Sequence, residues 1–318
     1  MMISKLYNKI KSLNKNRDYD CLLMFSGGKD SSYLLYYLSQ ELGLKVVTVT
    51  LIHNFLARET IENIESFAKK YSKKHITINN TCLNIAGKHF LENWINKPDE
   101  GSLITLCTGC RLGLVKEIIK VANKENLNVV LTGLTPFEAT DYRMNLVNYP
   151  KGKDGKIYFV LGYLRLLLRN PSLLKNFNAL KYQIEEYYYH GNKKRIFMKN
   201  GLNMIIPFYD YLKYDESIII ETLNKLNWQK ASVSTTSYWR ADCNMNALRQ
   251  FFHNWISGYN EMEMYYGKML KENVIDREYY SKNIKNNFNK EDILKILRTS
   301  GISDKAYLKY EKFLTKKE

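Results

Sequence analysis

Phe25-Ser26-Gly27-Gly28-Lys29-Asp30-Ser31-Ser32 is the stretch around which the rest of the chain is organised. Ahead of it, Cys21-Leu22-Leu23-Met24-Phe25 is a short, continuous apolar run, the pattern of a strand buried on both faces of a parallel sheet. After it, Tyr33 to Leu42 is rich in Leu, Tyr and Ser and stops at Gly43, as a helix closed by a glycine does. Between them, two glycines permit a tight turn whose N–H groups point into one concavity, with Asp30, Ser31 or Ser32 expected to cap the new helix. Such a helix start is an anion site. The helix dipole, the free N–H groups and the Lys29 ammonium all favour phosphate.

The spacing is not the Walker pattern, in which a glycine, four residues and Gly-Lys-Ser/Thr follow one another. Ser26-Gly27-Gly28-Lys29-Asp30-Ser31 instead resembles the PP-loop of the ATP pyrophosphatase superfamily, whose members cleave ATP between the α and β phosphates. The resemblance implies that Ser26, Gly27, Gly28, Ser31 and Ser32 hold the pyrophosphate and that Lys29 neutralises transition-state charge. It gives Asp30 to loop capping or to magnesium, and places adenine at the end of the second strand, near Thr50, Leu51 or Ile52.

The rest of the first half fits that frame. Lys45 to Leu51 is a β-branched run that reads as a second parallel strand, Ile61 to Tyr71 as an amphipathic helix and His75 to Ile78 as a short third strand. Val129 to Leu134 reads as a further buried strand ending at Gly133, which joins the nucleotide-binding set. The loop after it carries Glu138, Asp141 and Arg143 to the same sheet edge, with Asp141 the candidate for metal or substrate polarisation. The fold class expected is α/β, a doubly wound parallel sheet of PP-loop (HUP) type with ligands at the strand C-terminal ends. From about Tyr149 Tyr, Asn and Lys dominate, so the expected division is an ATP-binding α/β domain over 1–150 and a mainly helical region over 151–318.

Composition sets outer bounds. With 318 residues, 45% hydrophobic and 25% charged, the chain is an ordinary globular protein with room for two domains. Tyr158 to Leu168, the longest apolar candidate, is too short to span a membrane and contains Arg165. Met1 to Asp20 lacks the sustained apolar core of a secretory signal, so a cytoplasmic location is expected. A net charge of +16 invites a polyanion such as RNA, although Lys heavily outnumbers Arg, as a biased genome composition also produces. Five cysteines, an odd number, argue against a disulfide framework and for metal, catalytic or buried thiols.

Three of those cysteines are candidate metal ligands. Cys107 and Cys110 form a Cys-x-x-Cys pair, and Cys243 adds a third thiol within Arg240-Ala241-Asp242-Cys243-Asn244. Three cysteines can hold three irons of a 4Fe-4S cluster and leave the fourth open, or bind zinc with His253 as a fourth ligand. Cys21 and Cys82 read as buried small hydrophobes.

With the PP-loop, this arrangement resembles the tRNA thiolases, over roughly Asp18 to Arg143 and the vicinity of Cys243. Those families carry an Arg pair after Cys-x-x-Cys, whereas Arg111 stands alone here. The resemblance implies adenylation of a carbonyl or amide oxygen by ATP and Mg2+ and its replacement by sulfur. The acceptor would be tRNA or a small metabolite, and the sulfur donor a cysteine desulfurase system. A second resemblance, to the N-acetyl sugar amidotransferases of surface-polysaccharide synthesis, rests on Tyr19 to Asp30 and Gly258 to Glu278 and implies ammonia from a glutaminase partner. A nucleotide- or RNA-binding module without catalysis is the third reading.

Overall fold

The computed structural model describes residues 2–315 apart from 16, 80, 139–145, 154, 176–180, 182–184, 186–203, 232–236, 260 and 286–288. Its centre is a parallel five-stranded sheet of β1 (Cys21–Met24), β2 (Val46–Ile52), β3 (Lys74–Asn79), β4 (Val129–Thr132) and β5 (Met204–Pro207), in the order β3-β2-β1-β4-β5. β1 lies in the middle, pairing Leu22 with Val47 on one side and Val130 on the other. That position explains its unbroken apolar sequence, since both faces are covered. β3, at the edge, alternates in exposure instead. Strand order reverses at β1, so the segment leaving its C-terminal end stands at the topological switch point.

Helices cover both faces. On one side α1 (Met2–Leu13), α2 (Lys29–Tyr36) and α3 (Arg58–Tyr71) pack over Cys21 and Leu23; on the other, α5 (Thr108–Lys124), which follows α4 (Thr81–Trp94), covers Leu22, Val47 and Val130. Leu22 and Leu23 therefore serve opposite cores, as successive strand residues must. α6 (Lys156–Arg169) precedes β5. The chain then runs through α7 (Glu216–Lys225), α8 (Asn244–Ser257), α9 (Glu261–Lys271), α10 (Arg277–Asn283), α11 (Lys290–Thr299) and α12 (Asp304–Thr315).

The second half does not stand apart from the first. β5 comes from beyond residue 150, the boundary expected from composition, and completes the sheet beside β4. Ile219 and Leu223 of α7 and Met262, Tyr265 and Met269 of α9 share a core with β1 and α2. A further core joins Trp94 of α4 to Phe252 of α8, ring centroids 4.2 Å apart, and to Tyr310 of α12. Buried tyrosines of the helical half, such as Tyr265, Tyr266 and Tyr310, are thus core residues. Ser303 accepts from Ala306 N at 3.4 Å at the start of α12.

At α2 the expected cap is corrected. The helix starts at Lys29 with Gly28 as its cap residue, extended at φ −71° and ψ 164°, so Asp30, Ser31 and Ser32 fall inside the helix. The reason is the glycine pair: Gly27 turns at φ +76°, and Gly28 needs no side chain to enter the helix. A Cβ on Gly27 would lie 2.6 Å from Ile64 Cγ1 and 2.9 Å from the Thr60 carbonyl oxygen. Gly43 shares the left-handed conformation, φ +61°, with nothing within 4 Å. Gly43→Ala should therefore cost only the backbone strain, about 1–2 kcal/mol, and Gly27→Ala a further ~1–3 kcal/mol of overpacking. Urea unfolding of both variants checks this; equal losses would reject the steric account.

Candidate active site

At the C-terminal end of β1, the loop is closed by its own hydroxyls. Ser31 Oγ donates to Gly28 O at 3.1 Å and accepts from Ser26 N at 3.3 Å, while Ser26 Oγ lies 3.2 Å from Ser31 Oγ and accepts from Gly28 N at 3.3 Å. Gly133, following β4, packs on the start of α2: a Cβ there would lie 3.2 Å from Ser31 N and 3.3 Å from the Asp30 carbonyl carbon. Thr50 Oγ1 of β2 donates to Phe25 O at 2.6 Å, and Leu51 is buried next to it in the strand. Serine hydroxyls, first-turn N–H groups of α2 and a glycine wall thus meet at one sheet edge. Helices leave those N–H groups without intrahelical partners. The hydroxyls of Ser32, Thr132 and Thr135 are buried with no partner among the described residues. Orphaned donors at a helix start suit a polyphosphate.

Lys29 points inward. Its ammonium donates to both Asp30 carboxylate oxygens at 2.8 Å and to Tyr214 Oη at 2.7 Å, with Glu216 Oε2 at 3.9 Å. An ammonium has three N–H donors, so this set engages all of them. Glu216, at the start of α7, is buried and accepts from Tyr266 at 3.1 Å, Tyr279 at 3.0 Å and Tyr214 at 3.3 Å. Burial works against the Lys29 charge, but Asp30, Tyr265 and Glu216 outweigh it and hold its pKa above the usual lysine value. Burial, then the neighbouring Asp30 charge, raises Tyr214, whose hydroxyl keeps its proton as a donor.

Above the loop runs the segment 240–244, pinned to the residues that follow β2. Leu56 bridges Cys243 in antiparallel fashion, Ala57 N donates to Asp242 O at 3.4 Å, and Asn244 N to Phe55 O at 2.8 Å. The Asp242 side chain comes down on the loop: its Oδ2 lies 3.2 Å from where a Gly28 Cβ would stand. Burial raises its carboxyl pKa, and its own backbone N–H, Ser26 and Arg240 work against that rise. Glu138, from the loop after β4, binds Arg240 at 2.8 Å, and Arg240 reaches Glu261 at 3.9 Å. Glu261 in turn binds Arg249, whose Nη1 lies 3.5 Å from Cys107 Sγ. Asp141 and Arg143 lie outside the described residues, as does the side chain of Cys82.

Cys107 and Cys243 stand at the N-terminal caps of α5 and α8, and Cys110 in the first turn of α5. The three thiols share one neighbourhood: burial, then Asp242, Cys107 and Cys110, raises the Cys243 pKa. Among the described residues no three His, Cys, Asp or Glu side chains are gathered closely enough to hold one metal ion. His253, buried on α8, is ten residues past Cys243, hence about 15 Å along the axis, and its ring cannot join a zinc site at that thiol. A cluster holds its ligand sulfurs farther apart than a single ion does. Three thiols, two helix N-termini and the Arg249 guanidinium fit an anionic iron-sulfur group in kind and number.

Sequence reasoning missed Glu216 and Asp242. Glu216 follows the capping Asp215 and reads as an ordinary first-turn acid; Asp242 stood next to Cys243 in the quoted motif, which was its one available signal.

The comparisons point the same way as the geometry for the first half of the chain, which is similar to PP-loop ATP pyrophosphatases. Residues 17–135 match the family model of the thiamine biosynthesis protein ThiI. An uncharacterised protein of Methanocaldococcus jannaschii is 28% identical over 128 residues, covering 40% of this chain and 42% of its own length. Argininosuccinate synthase of Pyrococcus furiosus is 30% identical over 132 residues, covering 39% and 30%. The chain therefore spans less than half the length of the curated relatives it matches. Among solved structures, NMN synthetase from Francisella tularensis aligns at 14% identity and TM-score 0.39, over 90% of this chain and 98% of that one. The U34-tRNA thiolase NcsA from Methanococcus maripaludis, with its [4Fe-4S] cluster, aligns at 13% and 0.34, over 86% and 81%. No helix among the described residues is long and apolar enough to cross a membrane.

Glu216→Ala would leave the Lys29–Asp30 pair short of one buried charge and take an acceptor from three tyrosine hydroxyls, of which Tyr214 keeps Asp30 Oδ1 at 3.1 Å and Tyr266 keeps Ser237 Oγ at 2.9 Å. It should destabilise the fold by about 3–5 kcal/mol, and Glu216→Gln by less. The Lys29 pKa is raised in the fold, so its contribution is complete below the unfolded lysine value of about 10.4 and is lost only as pH rises above it. Denaturant unfolding should thus give the same penalty at pH 7 and pH 9. A loss under about 1 kcal/mol in the alanine variant would reject the network as a stabilising element.

Proposed function

We propose that the chain is an ATP-dependent sulfur transferase that forms AMP and pyrophosphate and acts on tRNA. The observation that carries this reading is the single peptide step from Asp242 to Cys243. The Asp242 carboxyl lies against Gly28 of the PP-loop, and Cys243 shares its surroundings with Cys107 and Cys110. A nucleotide at the loop and a sulfur at the thiols would lie against adjacent residues of one segment. The net charge of +16 supports a polyanionic acceptor.

In the proposed reaction a carbonyl oxygen of the acceptor base attacks the α-phosphorus, and pyrophosphate leaves. Sulfide then adds to the activated carbon, and AMP departs with the original oxygen. Such transfer needs positioning and neutralisation of charge more than covalent help from the protein. The loop N–H groups with Ser26, Ser31 and Ser32 would hold the departing pyrophosphate. Lys29 would contribute its charge from beneath, exchanging Asp30 for a phosphate oxygen to make contact. Cys107, Cys110 and Cys243 would hold a 4Fe-4S cluster, which when bound supplies an open iron position for sulfide.

The test begins with iron and acid-labile sulfide on protein purified without oxygen. Both should be present in the parent and fall at least several-fold in Cys107→Ala and Cys243→Ala. Pyrophosphate release from ATP should require unmodified tRNA, and sulfide should then yield a thiolated nucleoside by mass spectrometry. A parent that stays free of iron after reconstitution, and releases pyrophosphate with ammonia and a sugar but not with tRNA, would overturn the reading in favour of amidotransfer.

A further inference from the structure

Among the described residues, the charged groups linked around the PP-loop include more carboxyl groups than cations. The linked set contains Asp30, Glu138, Glu216, Asp242 and Glu261 beside Lys29, Arg240 and Arg249. Lys230, whose charge reaches Glu216, adds a fourth cation to the set. Most of these acids are already matched: Asp30 by Lys29, Glu138 by Arg240, and Glu261 by Arg249. Glu216 is enclosed by tyrosine hydroxyls.

Asp242 differs. Its carboxylate is set against the loop itself, Oδ2 3.2 Å from where a Gly28 Cβ would stand, at the place where the loop opens for phosphate. A carboxylate there repels a phosphate unless a cation lies between the two. The chain also keeps it in place: backbone links on both sides of Asp242, through Ala57 and through Cys243 and Asn244, fix the segment over the loop. Hard oxygen donors of this kind, combined with substrate phosphates, are how magnesium is normally held.

We propose that Asp242 is the protein carboxylate that holds the magnesium ion of the bound nucleotide. This rests on the nucleotide reading of the loop and is independent of the sulfur chemistry. Magnesium held there would turn a repulsive contact between Asp242 and the phosphates into an attractive one, with segment 240–244 already fixed over the loop. Asp30 stays committed to Lys29 until a phosphate oxygen takes its place.

Calorimetric titration with α,β-methylene-ATP, with and without Mg2+, tests this on the full chain. The parent should bind the analogue at least tenfold more tightly with Mg2+ than without it. Asp242→Asn keeps the shape but should lose most of that gain, while metal-free binding stays equal or tightens. Asp242→Ser, a smaller side chain, should repeat the result if the asparagine variant folds poorly. An unchanged Mg2+ gain in the variants overturns the assignment of Asp242 alone. Equal tightening with and without metal overturns it too, since it would make Asp242 only an electrostatic block. No binding of the analogue by the parent under either condition would sink the nucleotide reading and this inference together.

Discussion

A buried lysine ammonium is the constraint from which much of this structure follows. Lys29 sits in the first turn of a helix that starts at the centre of a parallel sheet, where water cannot reach it. An unpaired charge in that position would cost several kcal/mol. Asp30 supplies the adjacent countercharge, but the remaining partners, Tyr214 and Glu216, lie almost two hundred residues later. They can arrive only if β5 and α7 are docked. The loop that reads as a local motif is therefore completed by distant parts of the chain.

The same dependence repeats around the loop. Trp228 Nε1 donates to Gly27 O at 2.9 Å, Tyr209 Oη to Asp30 O at 3.3 Å, and the Asp242 carboxyl lies against Gly28. Each contact fixes a different loop residue, and each comes from beyond residue 200. Groups held in this way lose little freedom when a ligand binds, which is what preorganisation means for charge stabilisation. The cost is that the second half cannot be treated as an accessory: its helices share cores with the sheet, and its acids set the electrostatics of the site.

How much of this could be read from sequence follows from the range of the forces involved. β1, β2 and the helix after the loop were legible because burial on both faces, β-branching and a glycine stop are local signals. The edge strand Lys74–Asn79 was legible for the same reason. The cap of α2 was not, because side chains suited to capping are outweighed where a second glycine can enter the helix unaided. The boundary at 150 was read from composition, which records surface chemistry and carries no trace of β5 pairing with β4. Glu216 looked like a first-turn acid favoured by the helix dipole, and nothing local distinguishes that from a buried counter-ion. The three cysteines could be grouped by residue type, but that Cys107 and Cys243 each begin a helix, with Arg249 beside Cys107, depends on the packing of α5 against the rest.

The sign of the charge makes the final link between fold and chemistry. A chain with a large positive net charge could be expected to draw in phosphate by bulk attraction, yet among the described residues Asp30, Glu138, Glu216, Asp242 and Glu261 all stand around the loop. The two facts are compatible if they act at different distances. Surface charge acts over about a Debye length, roughly 8 Å at physiological salt, and serves encounter with a polyanion. Inside the site, selection among phosphates depends on short-range order: N–H groups, hydroxyls and a cation matched to fixed carboxylates.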